Sequence, residues 1–271
     1  MAPDALLSAF RRQLEARPGT RRWLIGFSGG LDSRVLVELA ARCLDPTRIL
    51  LLHVNHHLQA EADSWAVRCR RTAAALGLGI RVLNVAPASA SEADAREARY
   101  RAFEGELQTG DCLLLGHHAD DQAETLLLRL LRGAGVRGLK GMPRSRRLGA
   151  GRLLRPLLDI KRADLQSWAR QQGLEWIEDP SNAGLDYDRN FLRHRVLPPL
   201  AERWPDCARR TAHSSGHLDE AAGLLAEVAG DDLAACRRPR GGSVSRRWRH
   251  CRRRGATICC VTGWRRRPAS A

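Results

Sequence analysis

The stretch WLIGFSGGLDSR, residues 23–34, joins an apolar run to a turn of two glycines and to the start of a helical pattern. A Ser-Gly-Gly turn before a helix exposes several backbone N–H groups, and glycine lets a ligand approach the backbone closely. The positive end of the helix dipole adds to these donors. The stretch therefore predicts a phosphate-binding loop, formed by Ser28, Gly29, Gly30, Leu31, Asp32 and Ser33.

Asp32 is unusual in such a loop, because the phosphate loops of nucleotide kinases carry a lysine near this point. A carboxylate beside a polyphosphate is repelled unless a cation lies between them, and Mg²⁺ binds carboxylate and phosphate oxygens together. The sequence thus predicts a magnesium ion shared by Asp32 and the phosphates. The alternative is an ordinary strand-turn-helix connection in which Asp32 only complements the helix dipole.

Short apolar runs alternate with longer helical stretches on both sides of the loop, which predicts an α/β fold with a doubly wound parallel sheet. Polar clusters follow three of the predicted strands, at residues 28–33, 53–57 and 117–121. Because ligands of such sheets bind at the carboxyl ends of strands, the three clusters are expected to form one pocket. We expect this domain over residues 1–155 and a small helical segment over 156–235.

A second cluster, Asp120-Asp121-Gln122-Ala123-Glu124, opens a predicted helix. Spacings of three and four residues place Glu124 on the same helix face as Asp121 and Asp120. These acids are candidates to hold Mg²⁺ or the ammonium groups of a substrate, and the alternative is that they complement the helix dipole. The neighbouring His117 and His118, with His53, His56 and His57, are expected to pack beside a bound nucleotide rather than to bind zinc.

Positive charge is concentrated at the end of the chain. The formal net charge is +15, but residues 236–271 hold 12 arginines and no acid, which leaves about +3 for the rest. We expect this tail to be disordered and interpret it as an out-of-frame translation; the alternatives are a disordered arginine-rich arm that binds tRNA and part of a folded domain. No run approaches the length of a membrane span and the cysteines form no C-x-x-C pair, so we expect a cytoplasmic protein without a membrane partner.

Longer motifs resemble one known family. SGGLDS resembles the pyrophosphate-binding loop of the N-type ATP pyrophosphatases, called the PP-loop. The downstream segments resemble the tRNA(Ile)-lysidine synthetases within that group: HVNHHLQ (53–59), DAREARYRAF (94–103), GHHADDQAETLLLRLLRGAGVRGL (116–139), RPLLDIKRADLQSWARQQGLEWIEDPSN (155–182) and YDRNFLRHRVLPPL (187–200). Many members of the family continue into further C-terminal domains, so we expect this chain to be truncated at its C-terminal end.

The resemblance implies the PP-loop ATPase fold and the ligation of L-lysine to C2 of the wobble cytidine in the CAU anticodon of tRNA(Ile), with ATP and Mg²⁺. It implies Asp32, Asp121 and Glu124 as catalytic residues, and it points to Arg99 as the arginine that stabilises the departing pyrophosphate. Arg96 is the other candidate for that role. A tRNA thiolase and a catalytically inactive RNA-binding chain are the alternatives.

The residues that would contact tRNA lie farther along the chain. Arg189 and Arg193 are four residues apart on a predicted helix and face the same way, which suits a phosphate contact, and Asn190 lies between them. The alternative is a solvated helix face. Arg144, Arg146 and Arg147, in a glycine-rich stretch typical of a hairpin, add a second basic spot. The oligomeric state is not readable from the sequence, and a homodimer is kept as an open alternative.

Overall fold

The computed structural model describes residues 3–57, 59–89, 91–180, 184–185 and 187–237. The predicted tail over 236–271 therefore lies outside the described residues, except for the two residues that end the last helix. No helix in the described ranges is long and apolar enough to span a membrane.

In the described residues, six strands form one sheet in the order β3-β2-β1-β4-β6-β5. The strands are β1 Trp23–Gly26, β2 Ile49–Asn55, β3 Gly79–Asn84, β4 Cys112–Leu114, β5 Ser145–Leu148 and β6 Gly151–Leu154. All neighbouring strands pair in parallel except β5 and β6, which are antiparallel. The predicted parallel sheet is thus confirmed with one correction at its edge. The physical reason is the tight turn between β5 and β6, where Gly149 has a φ of +52° that favours glycine.

The helices lie between the strands and after them. They are α1 Pro3–Glu15, α2 Leu31–Cys43, α3 Ala62–Ala75, α4 Glu92–Glu106, α5 Ala119–Leu131, α6 Val136–Leu139, α7 Arg162–Gln171, α8 Asp188–Phe191, α9 Leu197–Arg203 and α10 Cys207–Arg237. Residues Leu192–Val196 form a π-helical turn that continues α8 into α9. Ser91 caps the N-terminus of α4, because its side chain accepts a hydrogen bond from the backbone N–H of Asp94 at 3.1 Å.

The sheet separates two apolar cores, because successive side chains of a strand point to opposite faces. Leu24 packs in the core that includes Phe103 of α4, while Ile25 packs in the core that includes residues of α1, α2 and α7. Both side chains are completely buried, and burial of each stabilises the fold by about 1.5–3 kcal/mol. Helices on both faces confirm the doubly wound arrangement.

Residue contacts divide the chain into two compact units. The first comprises residues 1–124 and 143–209 and contains the whole sheet and every predicted site residue. The second comprises residues 125–142 and the chain from residue 210 onward, and within it Arg129 donates hydrogen bonds to the carbonyl groups of Gly138 and Gly141. The domain boundaries expected at residues 155 and 235 stay predictions.

Candidate active site

The site lies where β1 and β4, which are adjacent in the sheet, reach their carboxyl ends. The order of the strands reverses at this point of the sheet, which is where doubly wound folds bind their ligands. Gly116, just after β4, allows this part of the chain to lie close to the start of α2. A Cβ atom at Gly116 would lie 2.9 Å from the carbonyl oxygen of Asp32, so a larger residue would push β4 away from the start of α2.

The predicted phosphate loop is a tight turn between β1 and α2. Gly29 has a φ of +86°, and its carbonyl oxygen accepts a hydrogen bond from the N–H of Ile177 at 2.9 Å. A Cβ atom at Gly29 would lie 2.5 Å from Cδ1 of Ile177, so both the backbone angle and the contact require glycine. The hydroxyls of Ser28 and Ser33 are 3.1 Å apart, and Ser33 also donates to the Gly30 carbonyl at 3.0 Å. These bonds hold the loop in one shape at the N-terminus of a 13-residue helix.

Asp32 lies in the first turn of α2 with a third of its side chain exposed. Its Oδ2 atom is 3.5 Å from Nε2 of His118, while Oδ1 is buried without a hydrogen-bond partner in the described residues. An oxygen in that state suits a divalent cation that a bound polyphosphate would also contact, so the residues present fit magnesium. No group of three or more metal-binding side chains occurs in the described ranges, so the protein's share of such a site would be small.

His118 connects the loop to the acid cluster. Its side chain is fully buried, and its two ring nitrogens lie 3.5 Å from carboxylate oxygens of Asp32, Asp120 and Asp121. Burial alone lowers the pKa of His118, but the carboxylates outweigh burial and raise that pKa to about 10. His118 is therefore an imidazolium at neutral pH and neutralises part of the acid charge.

The acid cluster is closed on its other side by two arginines from the α8 region. Arg189 donates from Nε to Oε2 of Glu124 at 2.8 Å, and Arg193 donates from Nε to Oε1 at 2.7 Å. Arg193 also reaches Oδ1 of Asp121 at 3.1 Å. Glu124 is fully buried, whereas the two arginine side chains are 21% and 26% exposed. The two guanidinium groups converge, as the spacing of Arg189 and Arg193 predicted, but they bind carboxylates of the acid cluster. Their predicted contacts with phosphate stay predictions.

These cations also affect Asp121. Burial raises its pKa, but the positive charges of the histidine and arginine neighbours, led by His118, lower it to about 2. Asp120 accepts a hydrogen bond from the backbone N–H of Arg162 at 2.7 Å, which fixes its position beside α7. Both aspartates are therefore ionised at neutral pH, and the site can bind cationic groups only by competing with its own arginines.

A second group of side chains surrounds Tyr100 and His117. Burial lowers the pKa of Arg99, and its neighbour Arg96 lowers it further. Burial also lowers the pKa of His117 to about 3. The charge of Asp121 raises this pKa, whereas the charge of Arg155 lowers it further. Adjacent histidines thus hold opposite protonation states, neutral at 117 and charged at 118.

Among the predicted tRNA contacts, Asn190 is half-buried on α8 between the two arginines.

Several contacts at this site were not predicted from the sequence. Ile177 covers the phosphate loop, and His118 links Asp32 to Asp121, although its sequence position only suggested packing beside a nucleotide. Arg155, only 2% exposed, joins His117 and Tyr100. The one signal for Ile177 is an apolar pair, Trp176-Ile177, between polar residues.

A cavity of about 340 Å³ lies elsewhere, near the amino ends of β1, β4 and β6. Arg17, Asp111 and Arg152 are among its lining residues. Asp111 is already bound there by Arg22 at 2.6 Å. Arg147 of the predicted second basic spot also lines this cavity, but the residues of the phosphate loop and of the acid cluster do not, so the cavity is not part of the candidate site.

Comparison with known proteins identifies relatives of the chain. The family model of the PP-loop domain matches residues 6–200. The tRNA(Ile)-lysidine synthase of Pseudomonas fluorescens is 49% identical over 239 residues, which are 86% of this chain and 54% of the relative. The enzyme of the same name from Pseudomonas syringae is 52% identical over 217 residues, 78% of this chain and 49% of the relative. The chain thus spans about half the length of these curated relatives.

Among solved structures, the U34-tRNA thiolase of Methanococcus maripaludis has a similar backbone. The TM-score is 0.64 at 15% identity, over 80% of this chain and 79% of the thiolase. This likeness supports the fold alone.

Proposed function

Because this chain belongs to the PP-loop domain family, we propose that it ligates L-lysine to C2 of the wobble cytidine in the CAU anticodon of tRNA(Ile), using ATP. The relatives that are about half identical to the chain are named tRNA(Ile)-lysidine synthase, and this name is the basis for the substrates. The reaction requires tRNA, ATP and lysine together, so we propose that it takes place in the cytoplasm.

The observation that carries the proposal is the position of His118 between the two reactive parts of the site. Its Nε2 atom is 3.5 Å from Oδ2 of Asp32 and 3.5 Å from Oδ2 of Asp121. The phosphate loop and the acid cluster are therefore close enough to act on one substrate. This arrangement suits a reaction that first activates an oxygen with ATP and then delivers an amine to the activated carbon.

In the first step, the C2 oxygen of cytidine forms a bond to the α-phosphorus of ATP, and pyrophosphate leaves. The loop of residues 28–33 binds the departing phosphates through its backbone N–H groups and the α2 dipole. Magnesium held by Asp32 and the phosphates would neutralise the charge of this leaving group. Arg99, or its neighbour Arg96, is proposed to stabilise the same charge.

In the second step, the ε-amine of lysine attacks C2, the C2–O bond breaks, and AMP leaves with the former cytidine oxygen. The amine must lose a proton before it can attack, and an ionised carboxylate is a suitable acceptor. Asp121 and Glu124 are the candidates for holding the ammonium groups of lysine and for accepting that proton. Arg189 and Arg193 compete for both acids, so we propose that they shift when lysine binds.

The tRNA is proposed to lie against the α8 region, where Arg189, Asn190 and Arg193 meet the acid cluster. A base that reacts at an enclosed site has to leave its stack in the anticodon loop. Contacts from these side chains to the flanking backbone would hold the loop while the cytidine enters.

The cysteines in the described part of the chain give no support to a tRNA thiolase. Cys69 and Cys112 are buried, and burial raises their pKa values to about 12 and about 11. A thiol with such a pKa is a poor nucleophile and a poor sulfur carrier. Cys43 and Cys207 are the other cysteines whose surroundings are described, and both are half-buried.

The proposal is tested by the products formed from ATP labelled in its α-phosphate. We expect labelled AMP, with release of pyrophosphate, only when tRNA(Ile) is present, and we expect the Asp32→Asn variant to form none. Labelled ADP, or AMP formation that ignores tRNA, would contradict the proposed reaction.

A further inference from the structure

We propose that Arg96, Arg146 and Tyr100 form a phosphate-binding site beside the reactive centre. The idea that the bound phosphate belongs to RNA rests on the proposed function. The phosphate-binding chemistry itself is argued from the geometry of these side chains. Arg96 and Tyr100 lie on α4, and Arg146 lies on β5, so the site joins a helix to the edge of the sheet.

Three guanidinium groups surround one phenol. The guanidinium carbons of Arg96 and Arg146 lie 5.0 and 5.2 Å from the centre of the Tyr100 ring. The Tyr100 hydroxyl accepts a hydrogen bond from Arg155 at 3.2 Å and a longer one from Arg96 at 3.4 Å. A phenol ring attracts cations over its face, but each such contact contributes only about 0.5–2 kcal/mol. One tyrosine therefore does not neutralise three charges.

Arg155 is committed to the protein interior. It donates to Nδ1 of His117 at 3.2 Å and to the Pro143 carbonyl at 2.6 Å, besides its bond to Tyr100. Burial lowers the pKa of Arg155, and the nearby Arg146 and Arg96 lower it further. This buried guanidinium group fixes the position of the Tyr100 hydroxyl. It adds positive charge to the site but is not itself exposed to a ligand.

Arg96 and Arg146 are half-buried and keep most of their donors for a ligand. A guanidinium group has five N–H donors. Within the described ranges, Arg96 has one hydrogen bond, to Tyr100, and Arg146 has one, to the Arg147 carbonyl at 3.3 Å. Neither is paired there with a carboxylate, and the same holds for Arg155.

The Tyr100 group, unlike the acid cluster, lacks the negative charge that would balance its arginines. Asp32, Asp120, Asp121 and Glu124 are balanced by His118, Arg189 and Arg193, so that cluster is nearly neutral. The Tyr100 group has three arginines and a fourth neighbour in Arg99, and among the residues that the structure describes no acid is in contact with it. Unbalanced charge in a half-buried setting is stabilised by a bound anion, and several guanidinium groups suit the oxygens of a phosphate.

Two sources of phosphate fit the position, a phosphodiester of the RNA substrate and the pyrophosphate released from ATP. The test compares Arg96→Gln, Arg146→Gln and the double variant with Arg101→Gln. Arg101 is a matched control on the same helix, because its side chain is 66% exposed and 3.8 Å from Glu97. The probes are a single-stranded RNA oligonucleotide, an RNA hairpin with a CAU loop, and inorganic pyrophosphate, each titrated at several salt concentrations.

We expect each single variant to weaken binding of one probe class by about tenfold or more, as the loss of a charge-assisted contact predicts. The double variant should lose more affinity than either single variant, because it removes both contacts to the same phosphate. Its log–log salt slope for RNA should fall by about 0.7, the value for one phosphate of a single strand.

The source is identified by which affinity falls. Loss for both RNA probes with pyrophosphate binding unchanged assigns the site to the RNA backbone, and the reverse assigns it to the leaving group. If the variants differ from the Arg101→Gln control only in their affinity for the CAU hairpin, the site depends on the proposed function. If the Arg146→Gln variant, with an unchanged circular dichroism spectrum, binds all three probes as tightly as the Arg101→Gln control does, the site does not exist.

Discussion

Arg193 donates a hydrogen bond from Nε to Oε1 of Glu124 at 2.7 Å, and the Glu124 side chain is completely buried. Arg189 binds the other carboxylate oxygen at 2.8 Å. An acid proposed to serve the chemistry and two arginines proposed to bind tRNA are therefore one ionic unit. The arrangement suggests how RNA binding and catalysis could be coupled, because a movement of either arginine frees charge on the acid.

Replacing Glu124 with Gln should lower stability as well as activity. The substitution leaves two partly buried guanidinium groups without an ionised partner, and breaking a buried pair in this way costs about 3 kcal/mol. Urea unfolding of Glu124→Gln, Arg193→Gln and the double variant checks this. The double variant should lose less than the sum of the single ones, and additive losses would show that the pair is not energetically coupled.

Replacing Asp32 with Asn should remove pyrophosphate release and keep the fold. The change preserves shape, and the loss of a first-turn carboxylate costs a helix only about 0.5–1 kcal/mol. A fall of about 100-fold or more in the rate is expected if Asp32 holds the cation that neutralises the leaving group. A variant with full activity would refute that role, and thermal unfolding serves as the control for folding.

Replacing Arg189 or Arg193 with Gln should weaken tRNA binding and reduce its salt dependence by about one unit per lost phosphate contact. Arg195→Gln is the matched control, because Arg195 lies on the same helical segment and is exposed. If the slopes of all three variants are the same as that of the unmodified chain, both arginines serve only the acid cluster.

Stability should be greatest near pH 6.5, because the adjacent histidines titrate in opposite directions. His118 has a folded pKa of about 10, above its ordinary value, so its contribution is complete below about pH 6.5 and is lost as the pH rises toward 10. His117 has a folded pKa of about 3, below that value, so its contribution is complete above about pH 6.5 and is lost as the pH falls toward 3.

The free energy of unfolding, measured in urea across this range, checks the signs. His118→Gln should flatten the decline on the alkaline side, and His117→Gln should flatten it on the acid side. A decline that persists unchanged in either variant would show that other groups cause it.

The sequence predicted the phosphate loop and the doubly wound sheet because both depend on local patterns. Glycines at 29 and 30 and the alternation of apolar runs with helices are visible in a short window. The acid cluster was predicted for the same reason, since the spacing of Asp121 and Glu124 within one helix places them on one face.

The contacts that complete the site could not be predicted from the sequence, because they join distant segments. Ile177 contacts Gly29 from a distant part of the sequence, and Arg155, just after β6, contacts Tyr100 on α4, 55 residues earlier in the chain. The convergence of Arg189 and Arg193 was visible in their spacing, but their partner, Glu124, is 65 and 69 residues away. Side-chain pairing at such distances depends on how the helices pack, which no periodicity reveals.

We propose that this site joins lysine to a cytidine of tRNA(Ile). The most direct test incubates the full chain with ATP, Mg²⁺, lysine and CAU-anticodon tRNA(Ile), followed by mass spectrometry of the digested nucleosides. We expect a cytidine whose mass has increased by that of lysine less one water, formed only with ATP and absent with the Asp32→Asn variant. An unmodified wobble cytidine after ATP has been consumed, or a nucleoside that has gained sulfur instead, would contradict it.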